Sequence, residues 1–204
     1  MATTRTRERR TVWLSLAAAF AVGIVIVGVL LVAQSGSEDG AAPTADGERD
    51  SGSQVASDGA FPIVAYRGAD VLGGQELDLT TLLGSGRPVV LNFWAGQCPP
   101  CRAEMPAFQD VYDRLGDDFL LVGVDIGPFI GLGSRQSALD LLEELGITYP
   151  TAYALDARAV QDNRVLSMPT TIFYDAEGTE VGRAPGLLTE DSLEARVREL
   201  VGQA

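Results

Sequence analysis

The chain has 204 residues, a formal net charge of −13, two cysteines and no histidine. One such chain cannot supply the ligands of a zinc site made of four cysteines or of paired cysteines and histidines, or of a mixed cysteine and histidine copper site, so we predict no bound metal. All its cationic side chains are arginines, and its strongly acidic balance argues against a nucleic-acid partner.

The N-terminal region predicts a membrane anchor. Arginines in residues 1–11 precede an apolar stretch, 12–33, that no charge interrupts. About 20 apolar residues cross a bilayer as a helix, whereas the core of a cleavable signal has roughly 7 to 15. Because cytoplasmic flanks carry the arginines, we expect a single-pass signal anchor in the cell membrane, with residues 1–11 cytoplasmic and the rest extracytoplasmic. Cleavage after Ala33 is the alternative, although Leu31 stands where such a site prefers a small residue.

Residues 34–60 predict a disordered acidic linker. They are rich in glycine, serine, alanine, aspartate and glutamate, and Val55 is their only large aliphatic residue. Such a composition cannot form a core. The remaining residues, 61–204, have the usual length of a domain built on one core.

Within this domain, continuous apolar runs predict central strands at 88–94 and 119–125, covered on both faces of a sheet. Between them, apolar residues at helical spacing predict a helix over 99–115, which Pro106 should kink. We expect this strand–helix–strand unit to be parallel and right-handed. The other predicted elements are a strand pair (61–67 and 74–77), a helical turn (79–83), a helix (135–145), a strand (151–154), a short helix (157–164), a hairpin (170–174 and 179–183) and a final helix (191–201).

The two cysteines, Cys98 and Cys101, form a C-x-x-C motif directly after the strand at 88–94. This context places the first sulfur at a helix N-terminus, where the helix dipole favours thiolate, and the second one turn on. Arg102 follows, so covalent haem attachment through C-x-x-C-H is excluded. A purely structural disulfide is the alternative, but so short a loop removes little unfolded-state entropy. We therefore interpret the motif as a redox pair.

Two segments resemble the TlpA/ResA-like branch of the thioredoxin superfamily, namely 91–106 (LNFWAGQCPPCRAEMP) and 168–173 (MPTTIF). The resemblance covers nearly all of 61–204. It implies an α/β thioredoxin-like fold, a central mixed sheet flanked by helices with an N-terminal strand extension, here preceded by one transmembrane helix. It also implies a monomeric thiol-disulfide oxidoreductase without a cofactor, which reduces exported client proteins, apocytochrome c being one candidate. A membrane thiol relay would donate its electrons.

The resemblance also implies roles for individual residues. Cys98 would be the exposed nucleophile and Cys101 the resolving thiol. Pro169 would be a cis-proline facing the pair, leaving the backbone of Met168 free to bind a client peptide. Without the C-x-x-C motif, Pro169 would be an ordinary proline at the start of a strand. Trp94 would shield the sulfurs and contact clients, or else be a core aromatic residue.

Proton handling differs from that of thioredoxins, which have an aspartate at the position of Asn92. Glu104, three residues after Cys101, matches an acidic residue of this branch, and we hypothesise that it acts as the base for the pair. The alternative is a helix carboxylate that only complements the dipole. Pro99 and Pro100 lack N–H groups that would stabilise a thiolate, which predicts a reductant or moderate exchanger rather than a strong oxidant.

The segment 127–133 follows the strand at 119–125, so it should lie on the same rim of the sheet as the redox pair. Exposed Phe129, Ile130 and Leu132 would form a surface for partner docking. Equally, the segment would fold over the core of its own domain.

Two other functions compete with disulfide reduction. A peroxiredoxin-like peroxidase is disfavoured because its reactive cysteine belongs in a P-x-x-x-T-x-x-C setting. A non-enzymatic module could use Cys98 and Cys101 to hand over metal or haem, but the absence of histidine disfavours it.

Overall fold

The structure is a computed structural model that describes residues 60–202. The predicted cytoplasmic tail (1–11), membrane anchor (12–33) and linker (34–60) lie outside the described residues, apart from Ala60. Within the described part of the chain, no helix is long and apolar enough to cross a bilayer.

Seven strands of the described region form one sheet. They are β1 (Pro62–Arg67), β2 (Glu76–Asp78), β3 (Val89–Trp94), β4 (Leu120–Asp125), β5 (Thr151–Ala154), β6 (Thr170–Tyr174) and β7 (Glu180–Pro185). Their spatial order is β2-β1-β5-β4-β3-β6-β7. The pairs β3 with β4 and β4 with β5 are parallel, and the other pairs are antiparallel. The predicted mixed sheet and N-terminal strand extension are therefore confirmed.

Helices account for about half of the remaining residues between 60 and 202. They are α1 (Ala69–Leu72), α2 (Pro99–Leu115), α3 (Gly127–Ile130), α4 (Arg135–Glu144), α5 (Arg158–Asp162) and α6 (Glu190–Val201), and a 3-10 turn spans Leu79–Thr81. The sequence patterns predicted neither α1 nor α3. Both are single turns of four residues that end at a left-handed glycine, Gly73 and Gly131, and so they have no apolar periodicity.

Strand β3 lies at the centre of the domain, and all six of its residues are buried. Val90 and Trp94 enter a core that α2, α4 and α6 cover. Val89, Leu91 and Phe93 enter a second core, closed by α5 and the N-terminal extension. Each large aliphatic side chain buried in this way contributes roughly 1.5–3 kcal/mol. The resulting rigid strand fixes the point at which the redox motif begins.

Strand β1 determines where the chain joins the sheet. It runs antiparallel to β5, with Ile63 opposite Ala154 and Ala65 opposite Ala152. The start of β1 therefore lies at the carboxyl end of β5. Because β3, β4 and β5 are parallel, this is also the end from which β3 leads into Cys98.

Candidate active site

The redox pair lies at the junction of β3 and α2. Cys98 caps the N-terminus of α2, and the Cys101 N–H donates to its Sγ at 3.3 Å. The two cysteines form a disulfide, with their Cα atoms 5.2 Å apart. Pro99 and Pro100 occupy the first two helical positions, where a missing N–H costs the helix nothing. The predicted position of the first sulfur at a helix N-terminus is confirmed.

The resemblance implies that Cys98 is exposed, whereas the structure shows it buried. Its relative exposure is 3 % and that of Cys101 is 0 %. The exposed neighbours are Gln97, Pro99 and Pro100. The disulfide joins the Cys98 sulfur to a fully buried partner, so in this oxidised form the sulfur lies within the surface rather than on it.

The Met168–Pro169 peptide bond is cis, as the resemblance implies. Pro169 is buried and precedes β6, whose Thr170 pairs with Phe93 near the end of β3. The Pro169 carbonyl accepts the Gly186 N–H at 2.8 Å. The proline thus lies at the same end of the sheet as the redox pair. Its contact with a client remains a prediction.

Glu104 is a buried carboxylate on the helix that carries both cysteines. It is 1 % exposed, and its two oxygens accept different donors. Asn92 Nδ2 donates to Oε1 at 2.8 Å, and the Leu188 N–H donates to Oε2 at 3.0 Å. Burial raises the pKa of Glu104 to about 7, against the opposing effect of these two hydrogen bonds. A solvated carboxylate that only complements the helix dipole would not be buried in this way.

Comparisons with known proteins agree with this geometry. The thioredoxin-like domain family matches residues 75–200. Thiol-disulfide oxidoreductase ResA of Oceanobacillus iheyensis is 32 % identical over 133 residues, which cover 63 % of this chain and 67 % of that protein. The chain is a ResA-like member of the thioredoxin superfamily. It is a thiol-disulfide oxidoreductase.

One further relative and one solved structure extend the comparison. The ResA of Bacillus subtilis is 27 % identical over 121 residues, covering 59 % of this chain and 64 % of that protein. The crystal structure of StoA from Bacillus subtilis superimposes with a TM-score of 0.55 at 22 % identity, covering 68 % of this chain and 96 % of StoA. The likeness to StoA shows the fold, which confirms the predicted thioredoxin-like architecture.

Trp94 of this ResA-like chain belongs to the same core cluster as both cysteines and is fully buried. Its indole therefore offers a client no accessible surface in this structure. We interpret it as a core aromatic residue that supports the redox pair from the protein interior.

Two partners of the ResA-like site were not predicted from the sequence. Asn92 Nδ2 also donates to Thr171 Oγ1 at 3.1 Å, and Glu104 is held by the backbone of Leu188. Thr171 could have been identified from the sequence, because it lies in the Met-Pro-Thr-Thr motif. In the structure it pairs with Asn92 on the neighbouring strand. The sequence does not indicate the role of Leu188, because any residue except proline has a backbone N–H.

The segment 127–133 lies beside the redox turn of the ResA-like domain, as predicted, and the Leu132 carbonyl accepts the Gln97 N–H at 2.8 Å. One of its apolar residues is exposed, as a docking surface requires, and two pack on the core of their own domain. Phe129 is 37 % exposed. Ile130 and Leu132 are half-buried and pack against the core of their own domain.

This division predicts different outcomes for two serine substitutions. Phe129→Ser should lower the free energy of unfolding less than Ile130→Ser, which should lower it by about 1–3 kcal/mol. Urea unfolding of both variants measures the difference. If Phe129 docks clients, Phe129→Ser also raises the KM for a protein disulfide, and an unchanged KM would remove Phe129 from the client-binding surface.

Proposed function

We propose that this oxidoreductase reduces disulfides in exported proteins on the extracytoplasmic side of a membrane, anchored there by residues 12–33. One observation supports the direction of the reaction. Among the described residues, Cys98 Sγ accepts a single backbone N–H, that of Cys101, because Pro99 and Pro100 have none. An enzyme whose Cys thiolate is strongly stabilised favours its dithiol form and therefore oxidises its clients. Few donors stabilise the Cys98 thiolate, so this enzyme favours its disulfide form and reduces its clients.

Reduction proceeds by two thiol-disulfide exchanges. The Cys98 thiolate attacks one sulfur of the client disulfide, and the other client sulfur leaves as a thiolate that takes a proton from solvent. Cys101 then loses its thiol proton and attacks Cys98 Sγ, which releases the second client sulfur. The client gains two electrons, and the enzyme is left with the Cys98–Cys101 disulfide.

Glu104 is the proposed acceptor of the Cys101 proton. It lies one helical turn after Cys101 and is buried on the same side of α2. A pKa of about 7 leaves the carboxylate able to accept a proton at neutral pH and to lose it again between turnovers. Fixed donors from Asn92 and Leu188 keep it in place while its charge changes.

Exported proteins with disulfides are the proposed clients, apocytochrome c among them. The chain has one cysteine pair, so each turnover consumes its two electrons. We propose that a membrane dithiol relay restores them by the same exchange chemistry. The Met168 backbone beside Pro169 is the proposed site for pairing with an extended client segment.

Equilibration of the full-length chain with glutathione buffers tests the direction of the reaction. We expect a reducing or intermediate potential. Pro100→Ala restores a backbone N–H at the second helical position, from which an N–H commonly donates to the side chain of the N-cap residue, here Cys98. It should shift the equilibrium toward the dithiol by roughly tenfold, which corresponds to about 30 mV.

Pro106→Ala is the matched control, since it changes a proline of the same helix away from Cys98. It should leave the equilibrium unchanged. A strongly oxidising potential in the parent chain would contradict the proposed reductive role, as would a Pro100→Ala variant that is more reducing than the parent.

A further inference from the structure

The described region contains a second buried carboxylate, which the proposed reaction does not use. Asp125 is the last residue of β4, is 1 % exposed and pairs with Trp94 of β3. The Gly127 N–H donates to its Oδ1 at 2.8 Å, and the Tyr66 hydroxyl donates to its Oδ2 at 3.0 Å. Burial raises the pKa of Asp125, while these two bonds and the charge of Arg135 oppose the rise. A buried carboxylate held by one donor on each oxygen is a fixed attachment point.

The segment 127–133 begins at the first of these donors and returns toward the redox pair. The Leu132 N–H donates to the Gly127 carbonyl at 3.0 Å, which closes the segment on itself. The Leu132 carbonyl accepts the Gln97 N–H at 2.8 Å, and Gln97 is the residue before Cys98. A continuous series of hydrogen bonds therefore joins Asp125 to the turn that carries the nucleophile.

Close packing prevents this segment from shifting independently of its neighbours. A Cβ atom built on Gly127 would lie 3.0 Å from Asp125 Oδ1 and 3.2 Å from the Cβ of Ala95. A Cβ on Gly133 would lie 3.2 Å from the Gln97 nitrogen. The segment thus fills the space between the Asp125 carboxylate and the redox turn, and the turn is positioned by the segment.

We propose that Asp125 is a positioning residue for the redox pair. Asp125 fixes the segment 127–133 by accepting the Gly127 N–H, and the Leu132 carbonyl of this segment accepts the Gln97 N–H. The turn fixed in this way places Cys98 Sγ where it accepts the Cys101 N–H. Within the turn itself, the Cys98 N–H to Ala95 carbonyl bond is longer, at 3.2 Å. This role rests on the proposed function of Cys98 as the nucleophile, because it acts by aligning the Cys98 thiolate.

Asp125→Ala in the full-length chain tests the role. It should raise the pKa of the Cys98 thiol by about one unit, measured from the pH dependence of iodoacetamide alkylation at Cys98, and slow alkylation at pH 7 by about tenfold. Hydrogen exchange at the Gln97 amide should accelerate. Asp125→Asn keeps an acceptor for the Gly127 N–H and can donate to the Tyr66 oxygen, so it should restore both readouts to the parent values.

Val124→Ala is the matched control, because it removes a buried side chain from the same strand on the opposite face of the sheet. It should lower stability without changing the Cys98 thiol pKa. If Asp125→Ala does not fold, Tyr66→Phe removes one donor and should shift both readouts in the same direction. Parent-like readouts in the folded Asp125→Ala or Tyr66→Phe variants, or an Asp125→Asn variant as impaired as Asp125→Ala, would contradict the positioning role. Full turnover by Cys98→Ser would instead contradict the proposed function.

Discussion

Replacement of Cys98 by serine is expected to lower the kcat/KM for reduction of a protein disulfide by roughly a thousandfold or more. A serine hydroxyl stays protonated at neutral pH, so it cannot replace the thiolate that caps α2. The initial rate of client reduction by the fully reduced full-length chain measures the loss. Cys101→Ser should retain the first exchange and fail at the second, because nothing then attacks Cys98 Sγ.

The Cys101→Ser variant should therefore accumulate mixed disulfides with its clients. These adducts would appear on a non-reducing gel and disappear with dithiothreitol, and identification of the captured proteins would name the client class. The double variant Cys98→Ser with Cys101→Ser is the control and should capture nothing. Capture by Cys98→Ser but not by Cys101→Ser would reverse the two assignments.

Glu104→Gln is expected to change how the stability of the oxidised chain depends on pH. Below about pH 4.5, the ordinary Glu pKa, the carboxyl is protonated in both folded and unfolded chains. Between this value and about 7, the unfolded chain ionises while the folded chain keeps its proton, so the parent loses stability as pH rises. A difference of some 2.5 pKa units corresponds to about 3 kcal/mol, lost in full above about pH 7.

Urea unfolding of parent and variant from pH 4 to pH 8 measures this change. The glutamine also disturbs one of the two hydrogen bonds to Glu104, which adds an offset at every pH but no slope. Glu144→Gln is the control, and its pH dependence should have the opposite sign. Arg102 lowers the pKa of Glu144, so the small contribution of this ion pair to the free energy of unfolding is lost as pH falls. A stability difference between parent and Glu104→Gln that is flat across this range would contradict the raised pKa. An unchanged pH–rate profile for disulfide reduction would remove Glu104 from proton transfer.

The long elements of the fold were predictable because their signals are local. The apolar runs of β3 and β4 and the helical periodicity of α2 each extend over enough residues to indicate one conformation. The single turns α1 and α3 were not predictable, since four residues have no periodicity and their ends depend on left-handed glycines. Helix α2 continues through Pro106, and the kink expected at this proline stays a prediction.

The active site was predictable where the chemistry requires a particular side chain. Cys98, Cys101 and Glu104 were found from their spacing and from the resemblance. The burial of Cys98 was not found, because accessibility depends on the state of the disulfide and on neighbouring turns. The Leu188 N–H was not found either, since 84 positions separate it from Glu104 and only the folded sheet brings them together.

The antiparallel pairing of β1 with β5 has a mechanical consequence. Any pull on Ala60 is transmitted first into the end of the sheet from which Cys98 emerges. Three strand spacings of about 4.8 Å, roughly 14 Å, separate β1 from β3 within the sheet. The proposed anchor at 12–33 would therefore pull on the domain at the end of the sheet that carries the disulfide.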